Sequence, residues 1–318
     1  MEQTYRNYMT SQLQALLGID SPSGYTAEVQ RYLVNELRAL GYEPEVLHKG
    51  GVICNLGGEG DSIMLAAHVD TLGAIVSTIK PNGRLAVSRI GGLNANNVET
   101  ENVRVITRFN GIFEGTFQVP DASVHVNAKV NEPRSFEHNL EIVLDEHVTK
   151  ADDVRALGIS VGDFVAVDPR FRITSSGYIK SRFLDDKASA AVLLAYAKYL
   201  HDEEKAPARN TWLNFTVHEE IGHGGAAGIP NCIREVISVD MGCVGEGVTC
   251  TERQVSICAK DSGGPYNYDV TTNLIKTARA HGIDYAVDIY NFYGSDVEAT
   301  LRAGYDIVHG LIGQGVYA

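Results

Sequence analysis

The sequence predicts an α/β fold with a β-rich domain inserted into it. Residues 63–67 form an uninterrupted apolar run, which is typical of a strand buried on both faces of a sheet. Towards both ends of the chain, segments with the apolar spacing of helices alternate with such runs. Residues 71–165 instead show short alternating segments separated by Asn, Gly and Pro. We therefore expect the first part of the α/β domain at 1–70, an inserted β-rich domain at 71–165, and the second part of the α/β domain at 166–318.

The elements follow in order from the same patterns. Residues 5–17 and 26–40 have the spacing of amphipathic helices, and Ser21-Pro22-Ser23-Gly24 interrupts the chain between them. The expected strands of the first part lie at 43–47, 52–56 and 63–67, and those of the insert include 103–108, 123–130 and 141–144. The second part is expected to contain helices at 187–200, 273–280 and 296–303 and strands at 212–217, 236–239, 285–289 and 307–312.

The composition excludes some classes of binding partner and indicates the cellular compartment. The formal net charge of −13 argues against nucleic acid and anionic membranes as partners. No apolar run is long enough to span a bilayer, and the N-terminus lacks an apolar signal core. The five cysteines are odd in number and lack Cys-x-x-Cys spacing, so we expect reduced thiols in a cytoplasmic protein. A structural zinc held by Cys243, Cys250 and Cys258 is the alternative, although their spacing is longer than such sites use.

Side chains that can bind a metal or move a proton stand at the ends of several predicted elements. They are His68 and Asp70 after the strand at 63–67, Glu219 and Glu220 after that at 212–217, Asp240 after that at 236–239, and Asp185 before the helix at 187–200. Each taken alone is more often structural, as a solvated turn or a helix cap. Since the carboxyl ends of strands in open α/β sheets face one crevice, the set as a whole can converge on a site.

The residue types indicate a hydrolytic metal site. Histidine and carboxylate ligands without cysteine suit zinc, with cobalt or manganese as alternatives. Several carboxylates and few histidines suggest two divalent metals that share a bridging carboxylate. Asp70 lies on the same side of the chain as His68, where it can accept the second imidazole N–H and orient the ring. Of two adjacent glutamates, one can hold a metal while the other moves a proton.

Five motifs together resemble the tetrahedral aminopeptidase family, which includes glutamyl and deblocking aminopeptidases and has members labelled endoglucanases. The motifs are Ala66-Ala67-His68-Val69-Asp70, Leu184-Asp185-Asp186-Lys187, Val217-His218-Glu219-Glu220-Ile221-Gly222, Val239-Asp240 and Gly294-Ser295-Asp296. The resemblance implies an α/β/α peptidase domain with a parallel-rich central sheet and an inserted β-rich domain at 71–165. It also implies peptide substrates and a homo-oligomer, often a hollow dodecamer.

The resemblance further implies a role for each site residue. His68 and Asp240 would each bind one of two divalent metals, Asp185 would bridge them, Glu220 would be a further ligand, Glu219 the general base, and Asp70 the residue that orients His68. These roles imply a metal-dependent aminopeptidase that removes N-terminal residues from peptides. In it, Glu219 takes a proton from a water activated between the metals and returns it to the leaving amine.

The sequence departs from the family pattern at several positions. Lys187 stands where arginine is common, and His218 where glutamine is common; we interpret His218 as a strand-end residue rather than a ligand. The family has one more metal-binding histidine, which the register places a few residues beyond Ala318. This predicts a truncated sequence that binds its two metals unequally or binds only one. His309 is the alternative ligand, although its place inside an apolar strand favours a packed core histidine.

Other interpretations of the same residues stay open. A related co-catalytic hydrolase, such as a dipeptidase or deacylase, would show an arginine clamp for a substrate carboxylate, and the sequence indicates none. A catalytically silent relative that only assembles would not need to keep Glu219, Glu220 and Asp185. A cellulase could use paired carboxylates but would leave His68 and Asp240 without a role. The preferred N-terminal residue, the metal and the size of the oligomer do not follow from the sequence.

Overall fold

A computed structural model describes residues 3–317 of the chain. The helices of this part are α1 (Gln3–Leu17), α2 (Ala27–Ala39), α3 (Ala151–Ala156), α4 (Leu184–Asp202), α5 (Tyr268–Ala280) and α6 (Asp296–Arg302). Its strands are β1 (Glu45–Val46), β2 (Val52–Asn55), β3 (Ser62–His68), β4 (Gly73–Ile79), β5 (Leu85–Ile90), β6 (Asn102–Ile106), β7 (Ile112–Gln118), β8 (Glu141–Leu144), β9 (Phe164–Val167), β10 (Arg172–Ile173), β11 (Ile179–Lys180), β12 (Asn210–Thr216), β13 (Ile233–Val239), β14 (Gly242–Cys243), β15 (Val255–Lys260), β16 (Tyr285–Ile289) and β17 (Val308–Val316).

The chain divides into two compact units. One consists of Met1–Asp70 with Phe171–Ala318, and the other of Thr71–Arg170. The second unit runs past the predicted end at 165 because β9 pairs with β4 and β6. That this segment folds as a domain of its own stays a prediction.

The first unit is built on a mixed sheet. Among the described residues its strands lie in the order β1-β2-β12-β3-β13-β17-β15-β16, and β14 pairs with β17. The pairs β12–β3, β3–β13, β13–β17 and β15–β16 are parallel. The pairs β1–β2, β2–β12 and β15–β17 are antiparallel. The central sheet is therefore parallel-rich, as predicted.

Side chains alternate across this sheet into two apolar cores, because successive residues of a strand point to opposite faces. Val52 and Cys54 of β2 pack in the core that contains α1, α2 and α4. Ile53, between them, packs in the other core with Val297 of α6. Helices thus cover both faces of the sheet, and the predicted α/β/α fold class is confirmed.

The second unit is a closed antiparallel barrel. Within Thr71–Arg170, all of which the structure describes, the strands close in the order β4-β5-β8-β7-β6-β9. Apolar side chains such as Val76, Phe117 and Ile142 fill its interior. The predicted strand at 123–130 is wrong: these residues form turns, and Val124 and Val126 are exposed, so their alternation faces no core.

Candidate active site

Three neighbouring parallel strands end at one edge of the central sheet. β3 ends at His68, and β12 ends at Thr216, which lies beside His68 in register. β13 ends at Val239, directly before Asp240. Carboxyl ends of parallel strands form the usual crevice for ligands in open α/β sheets. The strand order therefore brings His68, the turn after β12 and Asp240 together.

Asp185 reaches this edge from the start of α4. Its backbone departs from helical geometry, with φ −76° and ψ 105°, and a cis peptide bond joins it to Asp186. Asp185 Oδ1 lies 3.0 Å from His68 Nε2. The ligand atoms of His68, Asp185 and Asp240 all lie within 4.8 Å of one another. Three of the four predicted metal ligands thus form one compact group.

The imidazole of His68 is buried among acidic oxygens. Its Nδ1 lies 3.0 Å from the backbone carbonyl oxygen of Asp70, and its Nε2 lies 3.7 Å from Glu219 Oε2. Burial alone would lower the pKa of His68. The hydrogen bond with Asp185 and the neighbouring carboxylates of Asp70 and Glu219 together outweigh burial, so the pKa of His68 is well above its ordinary value. The carbonyl contact at Nδ1 leaves Nε2 facing Asp185 and Glu219.

Asp70 contacts the glutamate turn as well as His68. Its Oδ1 lies 3.6 Å from His68 Nδ1, farther than its own backbone carbonyl oxygen. Its carboxylate instead accepts hydrogen bonds from the backbone N–H groups of Glu219 at 3.1 Å and Glu220 at 3.4 Å. The hydroxyl of Ser23 donates a further bond to Oδ2. Burial alone would raise the pKa of Asp70, but the nearby imidazole of His68, together with the hydrogen bonds from Ser23 and Glu219, outweighs it and lowers that pKa.

The carboxyl groups of Glu219, Glu220 and Asp240 have raised pKa values, chiefly because burial removes them from water. Burial raises the pKa of Glu220 to about 8, with Asp185 adding to the shift and His68 opposing it. Burial and the charge of Asp185 raise the pKa of Asp240 to about 7. The pKa of Glu219 is well above its usual range, first because of burial and then because of neighbouring carboxylates. Glu219 and Glu220 both lie in the short 3-10 turn Glu219–Ile221.

Two aspartates without a predicted role lie in the same region. Asp186 is buried; its Oδ2 accepts the backbone N–H of His68 at 3.2 Å, and its Oδ1 has no hydrogen-bond partner within residues 3–317. Asp296 is also buried and accepts hydrogen bonds from the hydroxyl of Thr216 and, at 2.6 Å, from the N–H of Gly225. Burial is the first cause of the raised pKa of both. Both residues stand in the quoted motifs, but a motif does not tell which carboxylates become buried.

These residues fit a divalent metal ion. One imidazole and several carboxylates, without cysteine, are a donor set for zinc, cobalt or manganese. Ligands must lose their protons when a metal binds, so a cation here would replace the protons that the raised pKa values favour. The unpaired Oδ1 of Asp186 lies in the same acidic region, and its burial is costly unless positive charge is supplied nearby.

Other residues singled out in the sequence lie outside the three-residue ligand group. His309 Nε2 lies 4.0 Å from Glu298 Oε1, and its ring centroid lies 5.1 Å from that of Tyr266. Lys187 is buried and donates to the backbone carbonyl groups of Leu16 and Ile19, at the end of α1. His218 stacks on His223 with ring centroids 5.0 Å apart. The position expected for the family's last histidine lies outside the described residues.

A protein-family model for M42 glutamyl aminopeptidase matches residues 50–318. The chain belongs to this M42 family. The family resemblance of its motifs is thereby confirmed. "Putative aminopeptidase YhfE" of Bacillus subtilis (strain 168) is 45% identical over 308 residues, which cover 96% of this chain and 89% of that protein.

Solved structures share the fold. The TET1 peptidase of Pyrococcus horikoshii, which can assemble into a tetrahedron or a large octahedral shell, matches with a TM-score of 0.83 and 21% identity over 97% of this chain and 91% of its own. A Thermotoga maritima protein labelled endoglucanase matches with a TM-score of 0.71 and 18% identity over 96% of this chain and 88% of its own. None of the helices described between residues 3 and 317 combines the length and apolar character of a membrane span.

Proposed function

We propose that the chain is a metal-dependent aminopeptidase that removes N-terminal residues from peptides. His68, Asp185, Glu220 and Asp240 would hold two divalent metals, with zinc first and cobalt or manganese as alternatives. The observation that supports this most strongly is the close approach of the ligand atoms of His68, Asp185 and Asp240, within 4.8 Å of one another. Membership of the M42 family supports the aminopeptidase activity.

Glu219 would be the general base. Bound metals would polarise the peptide carbonyl group and lower the pKa of water. Glu219 would accept a proton from the attacking water and pass it to the leaving amine. A largely buried carboxyl group with a raised pKa, in a turn that places its Oε2 3.7 Å from His68 Nε2, supports this role because a carboxylate with a raised pKa is a stronger proton acceptor. Asp70 would orient His68 and, through the two backbone N–H groups, the turn.

The proposal extends to substrate, assembly and location. Peptides with a free N-terminus would be the substrates. A homo-oligomer is supported by the shared fold with the Pyrococcus horikoshii TET1 peptidase, which can assemble into a tetrahedron or a large octahedral shell. A cytoplasmic location is supported by the five cysteines, all free thiols in the described residues, because disulfides are uncommon in a reducing compartment.

The test combines metal analysis of the purified chain with hydrolysis of a panel of aminoacyl substrates. We expect activity to disappear with a chelator and to return with zinc, cobalt or manganese. N-acetylated versions of the same peptides serve as matched controls and should not be cleaved. Undiminished turnover by protein shown to be free of metal would contradict the proposal.

A further inference from the structure

Two buried carboxylates hold the segment that carries Glu219, which comprises the 3-10 turns Glu219–Ile221 and Gly224–Ala226. At its start, Asp70 accepts hydrogen bonds from the backbone N–H groups of Glu219 at 3.1 Å and Glu220 at 3.4 Å. At its end, Asp296 accepts one from the N–H of Gly225 at 2.6 Å. Backbone N–H bonds to a charged acceptor are among the stronger hydrogen bonds in proteins. The backbone of the turn is therefore fixed from two directions.

Each of these carboxylates is in turn bound by a buried hydroxyl group from another part of the unit. Ser23, in the loop between α1 and α2, donates to Asp70 Oδ2. Thr216, the last residue of β12, donates to Asp296 Oδ2. Both hydroxyl-bearing residues are buried, so water does not readily replace the bond when the hydroxyl is removed.

The fit around Asp296 is tight. A Cβ atom placed on Gly224 would come 2.2 Å from Asp296 Oδ1 and 3.0 Å from the backbone nitrogen of Glu219. The carboxylate of Asp296 thus lies directly against the backbone of the turn. A small rotation of this side chain would be transmitted to the backbone that positions Glu219, because no side chain separates them.

We propose that Ser23 and Thr216 are positioning residues for the general base. Each fixes the rotation of one carboxylate, and the two carboxylates together set where the carboxyl group of Glu219 lies. This inference rests on the proposed role of Glu219. Among the described residues, neither hydroxyl bonds to His68, Asp185 or Asp240: Ser23 acts through Asp70, and Thr216 acts through Asp296.

The experiment compares kcat, KM and metal content of three variants. Ser23→Ala and Thr216→Val remove the two hydroxyls. Thr211→Val is the matched control, because it removes a buried hydroxyl that donates to a backbone carbonyl oxygen at the other end of the strand that carries Thr216. Loss of a residue that orients a site residue typically costs about 10–100-fold in activity. We expect kcat to fall by about 10–100-fold in the first two variants, with KM and metal content nearly unchanged, and to change far less in the control.

Conservative replacements separate positioning from folding. Thr216→Ser and Ser23→Thr keep the hydroxyl and should recover most of kcat. If they do not recover it, or if Thr211→Val lowers kcat as much as Thr216→Val, the two hydroxyls have no special role and the inference is wrong.

A double variant tests whether the effect passes through Glu219. In a Glu219→Gln background, Ser23→Ala should cause no further loss of kcat, because the base it positions is absent. An undiminished further loss would overturn the inference while leaving the role of Glu219 intact. A fully active Glu219→Gln single variant would instead overturn the proposed role of Glu219, and this inference with it.

Discussion

The two units bury carboxylates in different ways. In the barrel, Glu141 is buried and its two oxygens are bound by the cations Lys80 and Arg84. At the edge of the central sheet, the imidazole of His68 lies within 4.0 Å of carboxylate oxygens from three residues: Asp70 at 3.6 Å, Asp185 at 3.0 Å and Glu219 at 3.7 Å. There, burial raises the pKa of Glu220 to about 8 and that of Asp240 to about 7.

This difference indicates that Glu141 has a structural role and that the carboxylates near His68 have a functional one. A buried ion whose partners lie in the chain adds order but no chemistry, and removing one partner is costly. Several carboxylates that lie close together near one imidazole, those of Glu219, Glu220 and Asp240 with raised pKa values, are suited to bind a cation from solution and to exchange protons. The barrel carboxylate is therefore expected to matter for stability, and those at the sheet edge for activity.

The largest effect is expected from Asp240→Asn. Removing one ligand should lower metal content and reduce activity to that of the chelated protein. In metal-free protein above pH 7, the variant should be at least as stable as the parent, because a carboxylate whose pKa is raised to about 7 is held ionised there at a cost that asparagine lacks. Metal analysis and thermal unfolding check both points; a metal-free variant with a clearly lower Tm would break the comparison.

Glu219→Gln should reduce kcat strongly while the metals stay bound. A positioned general base contributes about 10²–10⁴-fold, and glutamine keeps the shape of the side chain without its proton-accepting oxygen. Steady-state kinetics with metal analysis measures this. Loss of metal in this variant, rather than of rate alone, would mean that Glu219 is a ligand and that the roles of Glu219 and Glu220 must be exchanged.

Glu141→Gln should lower the stability of the barrel and leave kcat unchanged, the opposite of what is expected for Glu219→Gln. It leaves Lys80 and Arg84 without their carboxylate, and losing a buried hydrogen-bonded partner costs about 1–3 kcal/mol. Chemical denaturation followed by a signal from the barrel should show this loss, while kcat stays within the range of the parent. Impaired catalysis at unchanged stability would show that the barrel carboxylate is more than structural.

The smallest effect is expected from His309→Phe. The ring of His309 packs beside Tyr266 and lies 4.0 Å from Glu298, away from the group formed by His68, Asp185 and Asp240. Metal content and kcat should therefore stay close to those of the parent, with at most a modest change in stability. A fall in bound metal would identify His309 as the late ligand and place it inside the site.

Local patterns predicted most of the elements and where the site residues stand on them. The apolar run before His68 forms β3, and the Ala- and Leu-rich segment forms α4. Both could be predicted because the buried positions of a strand or helix appear in the sequence as regularly placed apolar residues. The motifs at the strand ends identified the family. β15 was not predicted: Val255–Lys260 is short and contains Ser256 and Lys260, so its apolar signal is weak, yet it joins the sheet between β17 and β16.

Only the tertiary structure decided which partners the charged groups find. Hydrogen bonds of the site join residues that are far apart in the chain. The carboxylate of Asp70 accepts one from Glu219 and one from Ser23, that of Asp186 accepts one from His68, and that of Asp296 accepts one from Gly225. Such contacts produce no regular pattern in the sequence, because a hydrogen bond depends on where two groups lie in the folded chain and not on the residues next to them. The sequence by itself determined the fold class and the residue types available for a metal site; the packing of strands and helices determined which carboxylates lie together and which hydrogen bonds each of them accepts.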